Sequence, residues 1–378
     1  MTKLRFHLLG VAYLETVKSN SICPFTQKVL KLAQILKSYG HTVYFYGVEG
    51  SEVTCDEFIK VSTQEVLKQT YGDFDRKKML FGQTPDDSAH QEFNKNAITG
   101  ILKRKKEGDI LLCSMGLNQK VIADAVGLIT VELGIGYPGT FAPYRIFESY
   151  AWMHYVYGQQ GIGDGLWYDA VIPNYYDVND FPFQNEKKDY LLYMGRIVSR
   201  KGVQLASEVA KETGYPLYVV GQGNLNNESE NLHLGEEGHI HYQSAVGPKE
   251  RAELLKYAKA VLMPTYYIEP FGSVCIEAQM CGTPVITTDW GAFSETVVHG
   301  ITGYRCRTYE EFCWAVKNID LLQPENCRKW AQDNYSINRV GKMYEEYFQR
   351  LRRLYDKGWY QENPDRIELE WLERYYPN

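Results

Sequence analysis

Residues 260–291 restrict the fold more than any other part of the chain. They read A-V-L-M-P-T-Y-Y-I-E-P-F-G-S-V-C-I-E-A-Q-M-C-G-T-P-V-I-T-T-D-W-G. The apolar run 260–263 suits a short buried strand. Ser273 fits a helix start, and residues 274–281 alternate apolar and polar at helical spacing. Gly282 stands where a left-handed helix-ending residue is wanted, with Pro284 shortly after. Residues 285–288 form the next strand. In an open parallel sheet, ligands lie outside the carboxyl ends of the strands. The loop 265–272 and the helix start are therefore placed to meet one. Free backbone N–H groups and the positive end of the macrodipole suit a phosphate there. Glu269 and Glu277, with seven residues between them, add carboxylates able to accept from a diol. The plainer reading is a solvated loop glutamate and a second one favoured near a helix N-terminus.

The second half of the chain adds a cationic partner. After the strand candidate 190–194 comes Gly195-Arg196-Ile197-Val198-Ser199-Arg200-Lys201-Gly202. Alone, this string reads as a polar turn. As a pair, Arg and Lys offer a planar fork and a point charge for phosphate oxygens. Fixed cations act best where negative charge grows in a transition state.

The two strings together resemble the retaining, nucleotide-sugar-dependent glycosyltransferases of the GT-B fold, family four. The resemblance rests on E-P-F-G-x-x-x-x-E-A-x-x-x-G-x-P-V from Glu269 to Val285 and on G-R-x-x-x-x-K-G from Gly195 to Gly202. The strings V-V-G-Q-G near Gly221 and I-P-N near Pro173 extend it. It implies an α/β chain of two Rossmann-like domains facing an interdomain cleft, with a C-terminal helix crossing back to the first. The expected divisions are an acceptor-binding domain 1–172, a nucleotide-sugar domain 173–355 and a helical tail 356–378.

The resemblance also implies roles. Glu269 would lie near the sugar hydroxyls and anomeric carbon. Glu277 would hold the ribose hydroxyls. Backbone N–H groups of Phe271, Gly272 and Ser273 would contact phosphate and sugar, and Gly221 and Val246 would flank the nucleotide. Arg196 and Lys201 would neutralise the leaving diphosphate, making a metal or other cofactor unnecessary. The partners implied are a nucleotide-diphosphate sugar, UDP-glucose-like, and a hydroxyl acceptor that the sequence does not name. A saccharide, a lipid-linked glycan, a small metabolite and a modified nucleic-acid base all stay open. So do a sugar-nucleotide epimerase, a phosphorylase and a nucleotide-binding module without turnover.

The first half opens as β-α-β, with strands at 4–11 and 42–46 around a helix from Pro24 to Gly40. Where related enzymes often carry Gly-Gly, the first loop reads Y-L-E-T-V-K-S-N-S. Residues 51–108 are polar and resist placement. Asp73 and Asp75 make a D-x-D string that holds metal in another glycosyltransferase fold, but basic residues 76–78 follow it directly. The run 103–106 suits a solvated helix end, or lines a groove for an anionic acceptor. The glycine-rich loop 132–140 offers Glu132 and Tyr137 as sugar or acceptor contacts, against the plain alternative of a tight turn. Residues 145–157 read as an aromatic helix.

Composition excludes some classes. The 378 residues allow two domains, and 44% apolar content allows real cores. A net charge of −6 disfavours a nucleic-acid footprint over the whole surface. No run approaches the roughly 18 apolar residues of a membrane span. The opening residues contain no long apolar core of a secretory signal. The eight cysteines show no C-x-x-C pair, which fits a reduced, cytoplasmic setting better than zinc or a disulfide framework. The 30 tyrosines offer flat apolar faces with hydroxyls for a sugar ligand, or reflect a biased composition.

Overall fold

The computed structural model describes residues 2–20, 23–73, 75, 84–235 and 237–357. The chain divides into two compact units. The first holds Met1–Glu148, Tyr155–Tyr175 and everything from Ile337 on; the second holds Ser149–His154 and Tyr176–Ser336. The chain thus changes unit between Tyr175 and Tyr176, near the expected division at 172, and the return occurs at Ile337 rather than at residue 356.

In chain order the first unit is built from β1 Arg5–Leu9, α1 Pro24–Ser38, β2 Thr42–Val48, β3 Glu57–Ser62, α2 Gln64–Tyr71, α3 Ser88–Leu102, β4 Ile110–Cys113, α4 Lys120–Val126, β5 Ile129–Ile135, β6 Tyr144–Phe147, α5 Tyr150–Gln159 and β7 Ala170–Val171. Helix α5 starts on residues of the second unit. The strands run parallel in the order β3-β2-β1-β4-β5-β6-β7. In register, Phe6 of β1 faces Val43 on one side and Ile110 on the other. Side chains alternate across a strand, so Phe6 and Leu8 enter one core with α1, and Leu9 enters the other with α3 and α4. The polar stretch 51–108 conceals β3, α2 and α3 because β3 buries only its last two residues, α2 only Leu67, and α3 a single face.

One expectation fails locally. Residues 145–157 are not one helix: Tyr144–Phe147 is strand β6, and α5 begins at Tyr150. Strand β6 has four residues, all buried and with Arg145 among them, too few for a period to separate strand from helix.

The second unit continues with β8 Leu191–Met194, α6 Val203–Thr213, β9 Leu217–Val220, the short β10 Asn226–Asn227 and β11 Leu232–His233, β12 Ile240–Gln243, α7 Pro248–Tyr257, β13 Ala260–Met263, α8 Ser273–Met280, β14 Val285–Thr288, α9 Phe293–Thr296, β15 Gly303–Cys306, α10 Tyr309–Lys317 and α11 Pro324–Tyr335. Its main sheet is parallel, ordered β12-β9-β8-β13-β14-β15. Helix α12 Ile337–Lys357 then rejoins the first unit. Each main sheet reverses strand order once, between β1 and β4 and between β8 and β13. In doubly wound folds that reversal opens the crevice where ligands bind.

Candidate donor site

The two strings that stood out in sequence leave the sheet at the second unit's reversal point. The loop 195–202 follows β8, and the loop 264–272 follows β13. They are tied at close range. The Tyr266 amide donates to the Arg200 carbonyl at 2.9 Å. Gly202 sits at φ +75°, and a Cβ there would lie 2.0 Å from the Pro264 carbonyl oxygen. Only glycine permits that approach, and the approach delivers Lys201. Its Nζ donates to Glu269 Oε2 at 2.7 Å and lies 4.7 Å from the centre of the Tyr267 ring. Both Lys201 and Glu269 are largely buried, so their charges act in a poorly solvated setting. Arg200 covers the same ring at 4.9 Å. Burial first, and the Glu269 carboxylate second, hold the Tyr267 phenol far above its ordinary range, so it stays neutral. Arg196 is exposed at the mouth of the loop, and its carbonyl accepts from the Tyr193 hydroxyl at 2.8 Å.

Helix α8 begins after Gly272, which takes φ +76° under the Phe293 ring. The Phe271 side chain is core, packed edge-on to Tyr335 at 5.8 Å. At Phe271 only the backbone therefore remains for a ligand, and among the described residues the amide N–H groups of Phe271, Gly272 and Ser273 have no acceptor. Glu277, one turn into the helix, pairs with the Arg251 guanidinium from α7. Gly221 ends β9, its amide donating to Gln243 at 3.1 Å. Val246 is half-buried in the loop after β12. The structure thus brings Arg196, Lys201, Glu269, Phe271, Gly272 and Ser273 to one edge, with Gly221 and Val246 on the loops of neighbouring strands.

Sequence reading missed three contributors. Tyr267 lies inside the motif, where a loop tyrosine carries no signal of its own. Arg251 is a distant helical residue whose pairing only the fold reveals. Ser149, from the first half of the chain, donates to the Pro270 carbonyl at 2.6 Å. Beside it, the Glu295 carboxylate accepts from the Tyr150 and Ala151 amides at 2.9 and 2.7 Å. Burial raises Glu295 above the usual carboxylate range, while those two amides pull the other way.

Other candidates have different occupations. Glu132 is fully buried, and its oxygens accept from the Tyr137 hydroxyl at 3.1 Å and from the Phe141 and Ala142 amides at 2.9 and 3.2 Å. It builds the loop 136–142 of the first unit. In the basic run, Arg104 binds both oxygens of Glu57 and Lys105 caps the end of α4 through the Val126 carbonyl at 2.6 Å. His239 bonds the Ser207 carbonyl at 3.0 Å, and His241 packs on Tyr218 at 5.0 Å. Residues 76–78, and Phe74 between Asp73 and Asp75, lie outside the described residues.

Residues 178–336 match the family model described as Glycosyl transferases group 1. An uncharacterised glycosyltransferase of Methanocaldococcus jannaschii is 24% identical over 200 residues, 48% of this chain and 49% of that one. The glycogen synthase of Mycobacterium tuberculosis is 32% identical over 160 residues, 38% of this chain and 37% of that one. The chain spans about half, or less, of the length of these curated relatives. The solved structure of Anabaena HepE in complex with UDP and glucose superposes with a TM-score of 0.62 at 15% identity, covering 92% of this chain and 99% of that one. Residues 178–336 are thus a glycosyl transferases group 1 domain, in a chain with the two Rossmann-like domains of the GT-B fold.

Proposed function

We propose that this chain is a retaining glycosyltransferase that moves a hexose from a UDP-glucose-like donor to a hydroxyl acceptor, without a metal. The observation that carries the reading is the Lys201–Glu269 contact of 2.7 Å beside the unoccupied N–H groups opening α8. It sets a cation, a carboxylate and an anion-binding helix start at one strand edge. The UDP and glucose bound to HepE support the donor class.

In this reading the helix start and Lys201 hold the diphosphate, with Arg196 closing on it from the surface. The bond from the anomeric carbon to phosphate oxygen breaks, and both electrons leave with the nucleoside diphosphate. Its growing charge is met by Arg196 and Lys201, which act more strongly on the transition state than on the intact donor. The acceptor oxygen forms the new bond on the same face and passes its proton to the departing phosphate. Glu269 positions the sugar and keeps Lys201 aimed, and Glu277 takes the ribose hydroxyls. A reduced, cytoplasmic setting belongs to the same reading, supported by eight free cysteines.

The test starts with melting temperature across UDP-, GDP- and ADP-sugars, since a ligand that binds only the folded chain raises it. The stabilising donor is then incubated with candidate acceptors and the products separated. A glycoside with retained anomeric configuration is expected. An epimer or a sugar phosphate would replace this reading with epimerisation or phosphorolysis. Lys201→Ala should lower nucleoside diphosphate release about 100- to 1,000-fold, the size of losing one preorganised charge partner. Near-normal release in that variant sinks the site assignment.

A further inference from the structure

The first unit contains a buried histidine with one ring nitrogen unpartnered among the described residues. Asp87 is the N-cap of α3, and its Oδ1 accepts from the His90 amide at 2.9 Å and meets His90 Nδ1 at 2.9 Å. Its Oδ2 accepts from the Tyr71 hydroxyl at 2.7 Å and the Thr84 amide at 3.3 Å. These donors outweigh burial and hold Asp87 below the usual carboxylate range, so it stays ionised. An ionised carboxylate accepts only. The proton of a neutral His90 ring is therefore drawn to Nδ1, and Nε2 is left as a bare acceptor. His90 is 2% exposed, and Nε2 has no hydrogen-bond partner among the described residues. Such an orphan is ordinarily costly, and buried polar atoms without partners are few.

Its place in the fold is informative. Helix α3 returns to the start of β4, so its first turn stands at the carboxyl end of the strands. Asn96 confirms the level by donating to the Val61 carbonyl of β3 at 2.9 Å. The His90 ring lies 6.3 Å from that of Tyr13, on the loop leaving β1. Gln119 fastens that loop to the one leaving β4, donating to Gly10 O at 2.9 Å and accepting from the Ser114 amide at 2.8 Å. These two loops flank this sheet's own reversal point, where a doubly wound domain meets its ligand.

We propose that Asp87 and His90 form a hydroxyl-recognition site: His90 Nε2 accepts the hydrogen bond of a hydroxyl on a polyhydroxylated ligand, with Asp87 as its positioning residue. Resting on the glycosyltransferase reading, that ligand is the acceptor. An unpartnered imidazole nitrogen beside an aromatic ring suits a sugar or polyol hydroxyl, and the adjacent Asp87 carboxylate repels an anion.

The test uses the whole chain labelled with ¹⁵N at histidine, with His90→Gln assigning the signal. In the free protein Nε2 is expected as a bare, unprotonated nitrogen. Titration with methyl α-glucopyranoside or myo-inositol should move it saturably, and His90→Gln should weaken binding of the responding probe roughly tenfold, the scale of one hydrogen bond. Asp87→Asn keeps a good N-cap but removes the charge, and should shift proton occupancy from Nδ1 towards Nε2. A signal already hydrogen-bonded to water alone, or one that neither probe moves, overturns the proposal. Melting shifts with nucleoside diphosphates are read in parallel. If nucleotide binds and polyols leave Nε2 unmoved, this site fails and the donor reading stands. If polyols move Nε2 and no nucleotide binds, the donor reading fails and this site stands.

Discussion

At the residue scale, the second unit uses ion pairs to aim groups, and the first uses one to hold its strand ends. Arg251 and Glu277 illustrate the former. If Glu277 holds the donor ribose, Arg251 sets where its carboxylate lies before the donor arrives. Arg251→Ala is expected to raise donor KM about tenfold with little change in kcat, because the lost interaction is made equally in ground and transition states. Steady-state kinetics check it, and an equal fall in kcat and kcat/KM would give Arg251 a part in the chemical step. The Lys28–Glu148 pair is of the second kind. Lys28 Nζ also donates to the Gly134 carbonyl at 3.1 Å, and a Cβ on Gly136 would meet the Glu148 carboxylate at 2.6 Å. The backbone is shaped around the pair. Removing one member leaves a buried charge alone, at a cost of about 3–5 kcal/mol, whereas removing both often costs far less. Lys28→Met should therefore destabilise by that amount, and Lys28→Met with Glu148→Gln should recover most of it in denaturant melts.

At the element scale, legibility followed periodicity and punctuation. Helix α1 was readable from Pro24 at its start and Gly40 past its end, and α8 from Ser273 and Gly282. Strand β6 was not, because four buried residues carry no period. Helix α3 was hidden although Asp87 is a strong cap signal, since the polar stretch around it gave no apolar stripe long enough to trust. The strand, loop and helix of 260–282 were legible because they are contiguous; Arg251 and Ser149 reach them only through tertiary contacts. The start of α5 shows such a contact at work. Two of its orphan amides are satisfied by Glu295 rather than by a local cap. Glu295→Ala should speed hydrogen exchange at Tyr150 and Ala151 about 10- to 100-fold, as two charge-assisted bonds are lost. Unchanged protection at both amides would show that the carboxylate does not hold the helix end.

At the scale of the whole molecule, the first unit is completed by the last helix described. In α12, Val340, Met343, Tyr344, Tyr347, Phe348 and Leu351 recur at three- and four-residue spacing and enter the core with Phe6, Leu8, Val29 and Leu32. On the same helix, Glu345 Oε2 meets His41 Nε2 at 2.6 Å. The core therefore closes only after residues 176–336 have been made. Ending the chain at Ser336 would expose six buried side chains, each worth about 1.5–3 kcal/mol, which together are as large as the net stability of an ordinary domain. The truncated chain is expected to lose the first unit's cooperative melt while the second unit keeps its nucleotide-induced shift. A first unit that melts normally without α12 would contradict this account. The opposite face of β1 carries a pH signature, since His7 points with Leu9 towards Tyr46. Burial outweighs Asp109 and holds His7 below its ordinary value. The unfolded chain thus takes up a proton near pH 6.5 that the folded chain refuses, so this contribution is present above that pH and is lost as pH falls. Glu132 and Glu295, raised by burial, act in the opposite sense. The decisive quantity is therefore a difference. Between pH 7 and 5 the melting temperature of His7→Gln should fall less than that of the unsubstituted chain, and equal slopes would remove His7 from the pH dependence.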